Sequence, residues 1–272
     1  MAPPDFIWQA MWPNYFALLL QTGKLYFRRH YDYTSPQDEL GDYSKAIEHA
    51  LRGEKSRLTT DQYSNKASLL RQCIEEQRQS TFISCFFQPE QGYGLTHNHA
   101  AIYGGDFHIS VEYSASHIQL KCQHHLDSMI GASLRAEPVR YLDVGMSAIQ
   151  ALIRDGNLDT GSHLHDTFRR LDPFFLKPNA HNDQREYRLA INLLPLCLVT
   201  DPATSKQVFD PSQLATSYFI HIGRQAIRTV AMGTDRFKNG GELILAALLD
   251  NYKVKHTRDS RSDDVLTYIS LN

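Results

Sequence analysis

The sequence predicts an α+β fold: a single domain with N-terminal helices and a central mixed or antiparallel β-sheet. Three observations lead there. Helical periodicity is concentrated early in the chain, two-residue alternation takes over in the middle, and strands and helices do not alternate regularly as a doubly wound parallel sheet requires. No G-x-G-x-x-G follows a predicted strand, which disfavours a dinucleotide-binding Rossmann unit. With 272 residues, 42% hydrophobic and 21% charged, the chain has ample material for a buried core and does not have a disordered composition. No repeat or Gly/Ser linker divides it, so one domain over 1–272 is the expectation.

Taken in order, Trp8 to Leu20 reads as an aromatic and aliphatic helix interrupted by Pro13, ending at Gly23, a residue suited to the left-handed closing position. A short strand from Lys24 to Phe27 follows. Ser35 with Pro36 opens a helix whose apolar face is Ala46, Ile47, Ala50 and Leu51, ending near Gly53. Thr59 with Gln62 forms a capping box for a second helix through Leu69, Leu70, Cys73 and Ile74. Thr81 to Phe87 is a β-prone run. Phe107, Ile109, Val111 and Tyr113 alternate with His108, Ser110 and Glu112, which predicts a strand with one buried and one polar face. Further strands are expected at Pro138 to Val144, Arg185 to Leu194, Tyr218 to Ile222 and Ile227 to Met232. A helix over Gly240 to Leu249 and a last strand near Tyr252 to Lys255 complete the reading.

Charge and cysteine usage exclude some functions. Lys+Arg 28 against Asp+Glu 30 gives −2, so the chain is not a globally basic nucleic-acid binder, and any such contact must come from a local patch. The mixed charges of Lys253, Lys255, Arg258, Arg261, Asp263 and Asp264 read as a solvated tail. Cys73, Cys85, Cys122 and Cys197 are scattered, which favours buried thiols over disulfides or zinc. No apolar run reaches the roughly 18 residues of a membrane span, and the first residues lack the basic start and apolar stretch of a secretory signal, so a cytoplasmic protein is expected.

The segment with most chemistry is the polar loop Lys177-Pro178-Asn179-Ala180-His181-Asn182-Asp183, which runs into a strand. Along that strand Gln184, Glu186 and Arg188 project from one face. A carboxylate at such a strand start can grip a sugar hydroxyl and stabilise a cation at the neighbouring anomeric carbon. The structural alternative is a strand face on which Glu186 pairs with Arg188 or a cross-strand base. A histidine-rich set offers two further options. His97-x-His99 with Cys122-x-His124 contains zinc-ligand types, but not at a recognised spacing. His181 or His108 with Lys177 has the side chains of a metal-independent nuclease.

Gln184-Arg185-Glu186 resembles the Q-x-E element of mono-ADP-ribosyltransferases, in which a target-recognising loop precedes a strand carrying the Gln and the catalytic Glu. The order of a helix leading into Gly23-Lys24-Leu25-Tyr26-Phe27-Arg28, a Phe82-Ile83-Ser84-Cys85-Phe86 strand and then the Q-x-E strand resembles that superfamily's split NAD-binding core. The chain also resembles a broad, poorly characterised bacterial domain family, through Leu25-Tyr26-Phe27, Ser84-Cys85-Phe86, Tyr103-Gly104-Gly105, Glu186-Tyr187-Arg188 and Ile222 to Gly233. The usual Ser-Thr-Ser strand motif is reduced here to Ser84-Cys85-Phe86.

The resemblance implies NAD as co-substrate, with Glu186 stabilising the ribosyl cation and Gln184 orienting the incoming nucleophile. Arg28, Arg29 or His30 would supply the first-strand basic residue, Ser84 would hold the nicotinamide-side ribose or support Glu186, and Tyr103 would stack on the nicotinamide. No metal is implied. It further implies a toxin or phage-defence enzyme with a macromolecular acceptor (RNA, DNA or protein) and a neutralising antitoxin, or else a catalytically silent regulatory module of a defence system.

Overall fold

The computed structural model describes residues 4–29, 51–53, 56, 59–65, 67–68, 79–88, 109–128, 132–142, 174–178, 185–193, 217–233, 241–258 and 266–271. These form a mixed α+β arrangement with a ten-stranded sheet that is antiparallel in every pairing and a separate two-stranded parallel sheet. The strands are β1 Phe6–Met11, β2 Lys24–Arg29, β3 Thr81–Phe87, β4 Ile109–Ser114, β5 Ser133–Pro138, β6 Arg140–Leu142, β7 Leu176–Pro178, β8 Glu186–Asn192, β9 Ser217–His221, β10 Ile227–Gly233, β11 His256–Arg258 and β12 Leu266–Leu271. The helices are α1 Pro13–Thr22, α2 Ala115–Leu126 and α3 Gly241–Asn251. Residues 51–53 and 60–65 are also helical.

Strand β3 organises the sheet. Along one edge it pairs with β8 over its full length, from Thr81↔Asn192 to Phe87↔Glu186. Its other edge is shared: β1 meets it at Trp8↔Phe87, and β2 at Arg28↔Ile83 and Arg29↔Phe82. Between these two partners the Gln9 side-chain amide donates to Ser84 Oγ (3.0 Å) and to the Cys85 carbonyl (3.2 Å). A side chain there does the work of a strand backbone, because a buried carbonyl needs a donor. From β1 the sheet continues through β4, β10, β12 and β11; from β2 it continues to β9; β5 pairs beyond β8. Helix α2 touches β4, β5 and β9, which lie far apart in that order, so the sheet curls around it.

The core lies on the concave side. Ile7, Val111, Phe86, Tyr187 and Leu189 pack there with Ile118, Cys122 and Leu126 of α2. Ala115, Ile118, Cys122 and Leu126 recur at helical spacing, which explains the buried face of α2.

Helix α1 begins at Pro13, whose missing N–H costs nothing in the first turn. It ends at Gly23 (φ 65°), whose N–H bonds Leu19 O at 2.7 Å. Gly23 O in turn accepts the N–H groups of Ile222 and Gly223 (2.9 and 3.0 Å), and a Cβ on Gly23 would lie 3.3 Å from Gly223 Cα.

Several expectations are met and others corrected. The strands at 24–27, 81–87, 218–222 and 227–232 and the Gly23 helix end appear, and the helix expected over Gly240 to Leu249 is found at Gly241–Asn251. The Thr59/Gln62 capping box is reciprocal, with Thr59 N bonding Gln62 Oε1 (3.0 Å) and Gln62 N bonding Thr59 Oγ1 (3.3 Å). Trp8 to Met11 is strand rather than helix: it pairs with β4 from Phe6↔Ser114 to Met11↔Ile109, and Pro13 starts the helix instead of interrupting it. β4, expected to have one polar face, is buried on both faces, Ser110 and Glu112 included, and lies inside the sheet between β1 and β10. The strand expected at Pro138 to Val144 is two: Pro138 ends β5, and β6 pairs in parallel with β7. Tyr252 to Lys255 is a turn and irregular chain with Lys253 at φ 55°, and the last strands are instead β11 and β12; Lys253, Lys255 and Arg258 are exposed, as a solvated tail requires. Most of the helices expected from Ser35 to Ile74, together with Phe107, His108, Asp263 and Asp264, lie outside the described residues.

Burial has a titration consequence. Tyr113 is wholly buried, its hydroxyl has no hydrogen-bond partner among the described residues, and burial pushes its pKa far above the usual 10.0. The Cys122 thiol is pushed up to about 12 from 9.0 by burial. The unfolded chain therefore loses these protons first, the folded state binds more protons in that window, and stability falls as pH rises above about 9. Tyr113→Phe removes an orphan hydroxyl; it is expected to gain about 1 kcal/mol near neutrality and to flatten the alkaline decline. Urea denaturation at a series of pH values checks both, and a loss of stability near neutrality would show that the hydroxyl is satisfied.

Candidate active site

The first residue of β8 is Glu186. Its approach is unusual: Arg185, immediately before it, has φ 42°, a backbone conformation that costs a non-glycine residue about 1–2 kcal/mol. Two backbone bonds hold the kink in place, Gln88 N to Arg185 O (3.0 Å) and Val139 N to Glu186 O (2.8 Å). The side chain is 3% exposed and accepts from Arg188 Nε at Oε1, 2.5 Å away. Arg188, 4% exposed, also donates through NH1 to Phe174 O at 2.7 Å. A guanidinium thus engages the carboxylate and a loop carbonyl at once, and this fork geometry fixes both.

The charge pattern continues onto the neighbouring strand. Glu137 of β5 sits opposite Arg188 in register, and Arg135 binds Glu137 at 3.0 Å while its guanidinium lies 4.6 Å from the Phe175 ring centroid. Strand pairing also lines up Thr229, Glu112, Trp8, Phe87 and Glu186 as one row across the convex face. All five are buried. Neighbouring strands are about 4.8 Å apart, so Glu112 and Glu186 stand roughly 14 Å apart with the aromatic pair between them. The sequence pattern gave Glu112 the polar face of a strand; in the fold it is buried, with Trp8 of β1 and Thr229 of β10 opposite it in register.

The residues expected at the site are divided by the sheet. Arg28 is on the convex face with Glu186, since it pairs with Ile83, which pairs with Ala190, four residues along β8 from Glu186. Arg29 pairs with Phe82 and Ser84 with Leu189, so both side chains face the core, on the opposite side from Glu186. Ser84 therefore cannot support Glu186 directly; it accepts from Gln9. Gln184, His30 and Tyr103 lie outside the described residues, as do His181, His108, His97 and His99. Lys177 is in β7, opposite Tyr141. Cys122 is buried in the core while His124 is exposed, so the two do not converge as ligands. Among the described residues no group of His, Cys, Asp or Glu is arranged to hold a metal ion, and no helix is long and apolar enough to cross a membrane.

Tyr187, next to Glu186 but facing the core, accepts from Gln119 of α2 and donates to Ala136 O at 3.1 Å. Burial, then the Glu137 charge, pushes its phenol up to about 12. Comparison with known proteins adds nothing to this geometry: no family model, curated protein or solved structure matches the chain.

Removing one partner of a buried pair leaves the other charge uncompensated. Arg188→Met is therefore expected to cost about 3–5 kcal/mol, and Glu186→Leu combined with Arg188→Met to recover most of it. Chemical denaturation of both variants is the check. A single variant within about 0.5 kcal/mol of the parent would show that the pair does not hold this region.

Proposed function

We propose that the chain is an NAD-dependent mono-ADP-ribosyltransferase of toxin or phage-defence type, acting on a macromolecule. The reading is supported above all by Glu186: a buried carboxylate at the first residue of a strand, directly after a strained Arg185 and gripped by Arg188. Strain of this kind collects at functional sites, where the surroundings hold a side chain in a fixed aim. In the proposed reaction the glycosidic bond between the ribose and nicotinamide breaks, and nicotinamide leaves with the electron pair. The cation left at the anomeric carbon is stabilised by Glu186 through the adjacent ribose hydroxyl. An acceptor nucleophile, oriented by Gln184, bonds that carbon and gives up its proton. Arg28, on the same face as Glu186, is the cation proposed for the pyrophosphate in preference to Arg29, which faces the core.

A second reading is favoured by one observation. The Arg188 pair and the Phe174 carbonyl give Glu186 a complete structural occupation, which a catalytically silent binding module needs as much as an enzyme does.

Incubating the purified chain and a host lysate with labelled NAD separates the two. The transferase releases nicotinamide and labels a macromolecule, and Glu186→Gln, shown by its melting curve to be folded, loses on the order of 100-fold or more in rate. Absence of transfer and of nicotinamide release, with no thermal shift from NAD, leaves the binding module. A bound dinucleotide at 100 times its Kd stabilises the native state by about 2.7 kcal/mol.

A further inference from the structure

We infer that Arg188 is a positioning residue for the reaction proposed above: it aims the Glu186 carboxylate, and it can do so because the Phe174 carbonyl holds it in turn. Glu186 and Arg188 are two residues apart on β8, so their side chains leave the strand about 6.8 Å apart and roughly parallel. The bond from Arg188 Nε to Glu186 Oε1 therefore requires one or both to lean along the strand. Where the carboxylate points is then set by where the guanidinium is held. Phe174 O, 2.7 Å from NH1, holds it. The other end of Glu186 is fixed as well, by the left-handed Arg185 before it and by the bonds Gln88 N to Arg185 O and Val139 N to Glu186 O.

The anchor is itself tied down on both sides. Phe175 is fully buried with the Arg135 guanidinium 4.6 Å from its ring centroid, and Arg135 is held in turn by Glu137, which stands opposite Arg188 in register. Immediately after it, Leu176–Pro178 pairs with Arg140–Leu142, the segment that follows β5. Two arginines thus seat the Phe174–Phe175 dipeptide, one through its carbonyl and one through its ring. Neutralising a buried carboxylate needs only an opposite charge, which Lys supplies as well as Arg. Holding two acceptors in one plane needs the guanidinium fork, and a single ammonium on a flexible stem cannot reproduce it. Stabilising a cation that develops at one carbon atom depends on such a fixed aim, since catalytic charge must be in place before the reaction starts. The assignment rests on the transferase reading, and Arg188 acts in it only through Glu186.

The test is a double-mutant cycle on the full chain with Arg188→Lys, Glu186→Gln and the two combined. Nicotinamide release is followed over a range of NAD concentrations with host lysate as the source of acceptor, above a lysate-only blank, at a temperature where melting curves show every variant folded. Arg188→Lys is expected to lower kcat by on the order of 10- to 100-fold and to leave KM for NAD within about threefold of the parent. In the Glu186→Gln background the same substitution is expected to change nothing, because the group it aims is gone. Arg188→Gln, a shorter uncharged donor, takes its place in the cycle if Arg188→Lys does not fold. Three results with an active parent overturn the assignment and leave the transferase standing. In the first, kcat is unchanged in the folded Arg188 variant, which makes the pair structural only. In the second, the change is confined to KM, which makes Arg188 a contact for NAD. In the third, the two losses add, which makes Arg188 act independently of Glu186. A parent that releases no nicotinamide removes the transferase reading and this assignment with it.

Discussion

Strand β3 must satisfy its backbone on both edges, and the way it does so shapes everything around it. On one side β8 supplies a full ladder. On the other the partners are β1 at one end and β2 at the other, joined by α1, with the Gln9 amide filling the interval. Both strands run antiparallel to β3, so they are parallel to each other without pairing, and each carries its own extension of the sheet. The row that holds Glu186 belongs to the β1 branch, and the outward-facing ring pair of Tyr26 and Phe219 belongs to the β2 branch. One unbroken central strand therefore keeps two chemically different regions on the same face.

The convex side of this sheet departs from the usual division into apolar interior and polar exterior. Glu112, Glu186, Arg188 and Thr229 are buried there beside Trp8 and Phe87. Burying charge is costly unless it is paired, and Arg188 meets that demand by serving Glu186 and Phe174 O together. The pair explains how an acidic residue can occupy the interior. The Arg185 backbone is a separate expense, because an ion pair alone does not require a left-handed residue. That difference is why Glu186 is weighed as more than a structural carboxylate.

Much of the sheet could be read in advance because its strands are locally emphatic. Thr81–Phe87, Lys24–Arg29 and Ile227–Gly233 are dense in β-branched and aromatic residues, and Gly23 and the Thr59/Gln62 box rest on backbone chemistry that works within a few residues. What escaped depends on distant partners. Phe6–Met11 has an apolar content that suits a helix equally, and only β4 and β3 make it a strand. Helix α2 was obscured by its histidines, although Ala115, Ile118, Cys122 and Leu126 mark its buried stripe. The site followed the same rule. The same-face relation of Glu186 and Arg188 follows from two-residue spacing, whereas the separation of Arg28 from Arg29 and the turning of Ser84 away from Glu186 depend on register between strands.

Gly23 illustrates how little volume holds one branch of the fold to its neighbour. Its amide terminates α1, its carbonyl anchors the two residues that follow β9, and its missing side chain lets Gly223 approach. Helix end, first inner strand and outermost strand are thus tied at a single atom-poor knot. Even an added methyl group there would strain the left-handed backbone and press on His221 and Gly223 together, so damage at this point would propagate into both β2 and β9 rather than stay local.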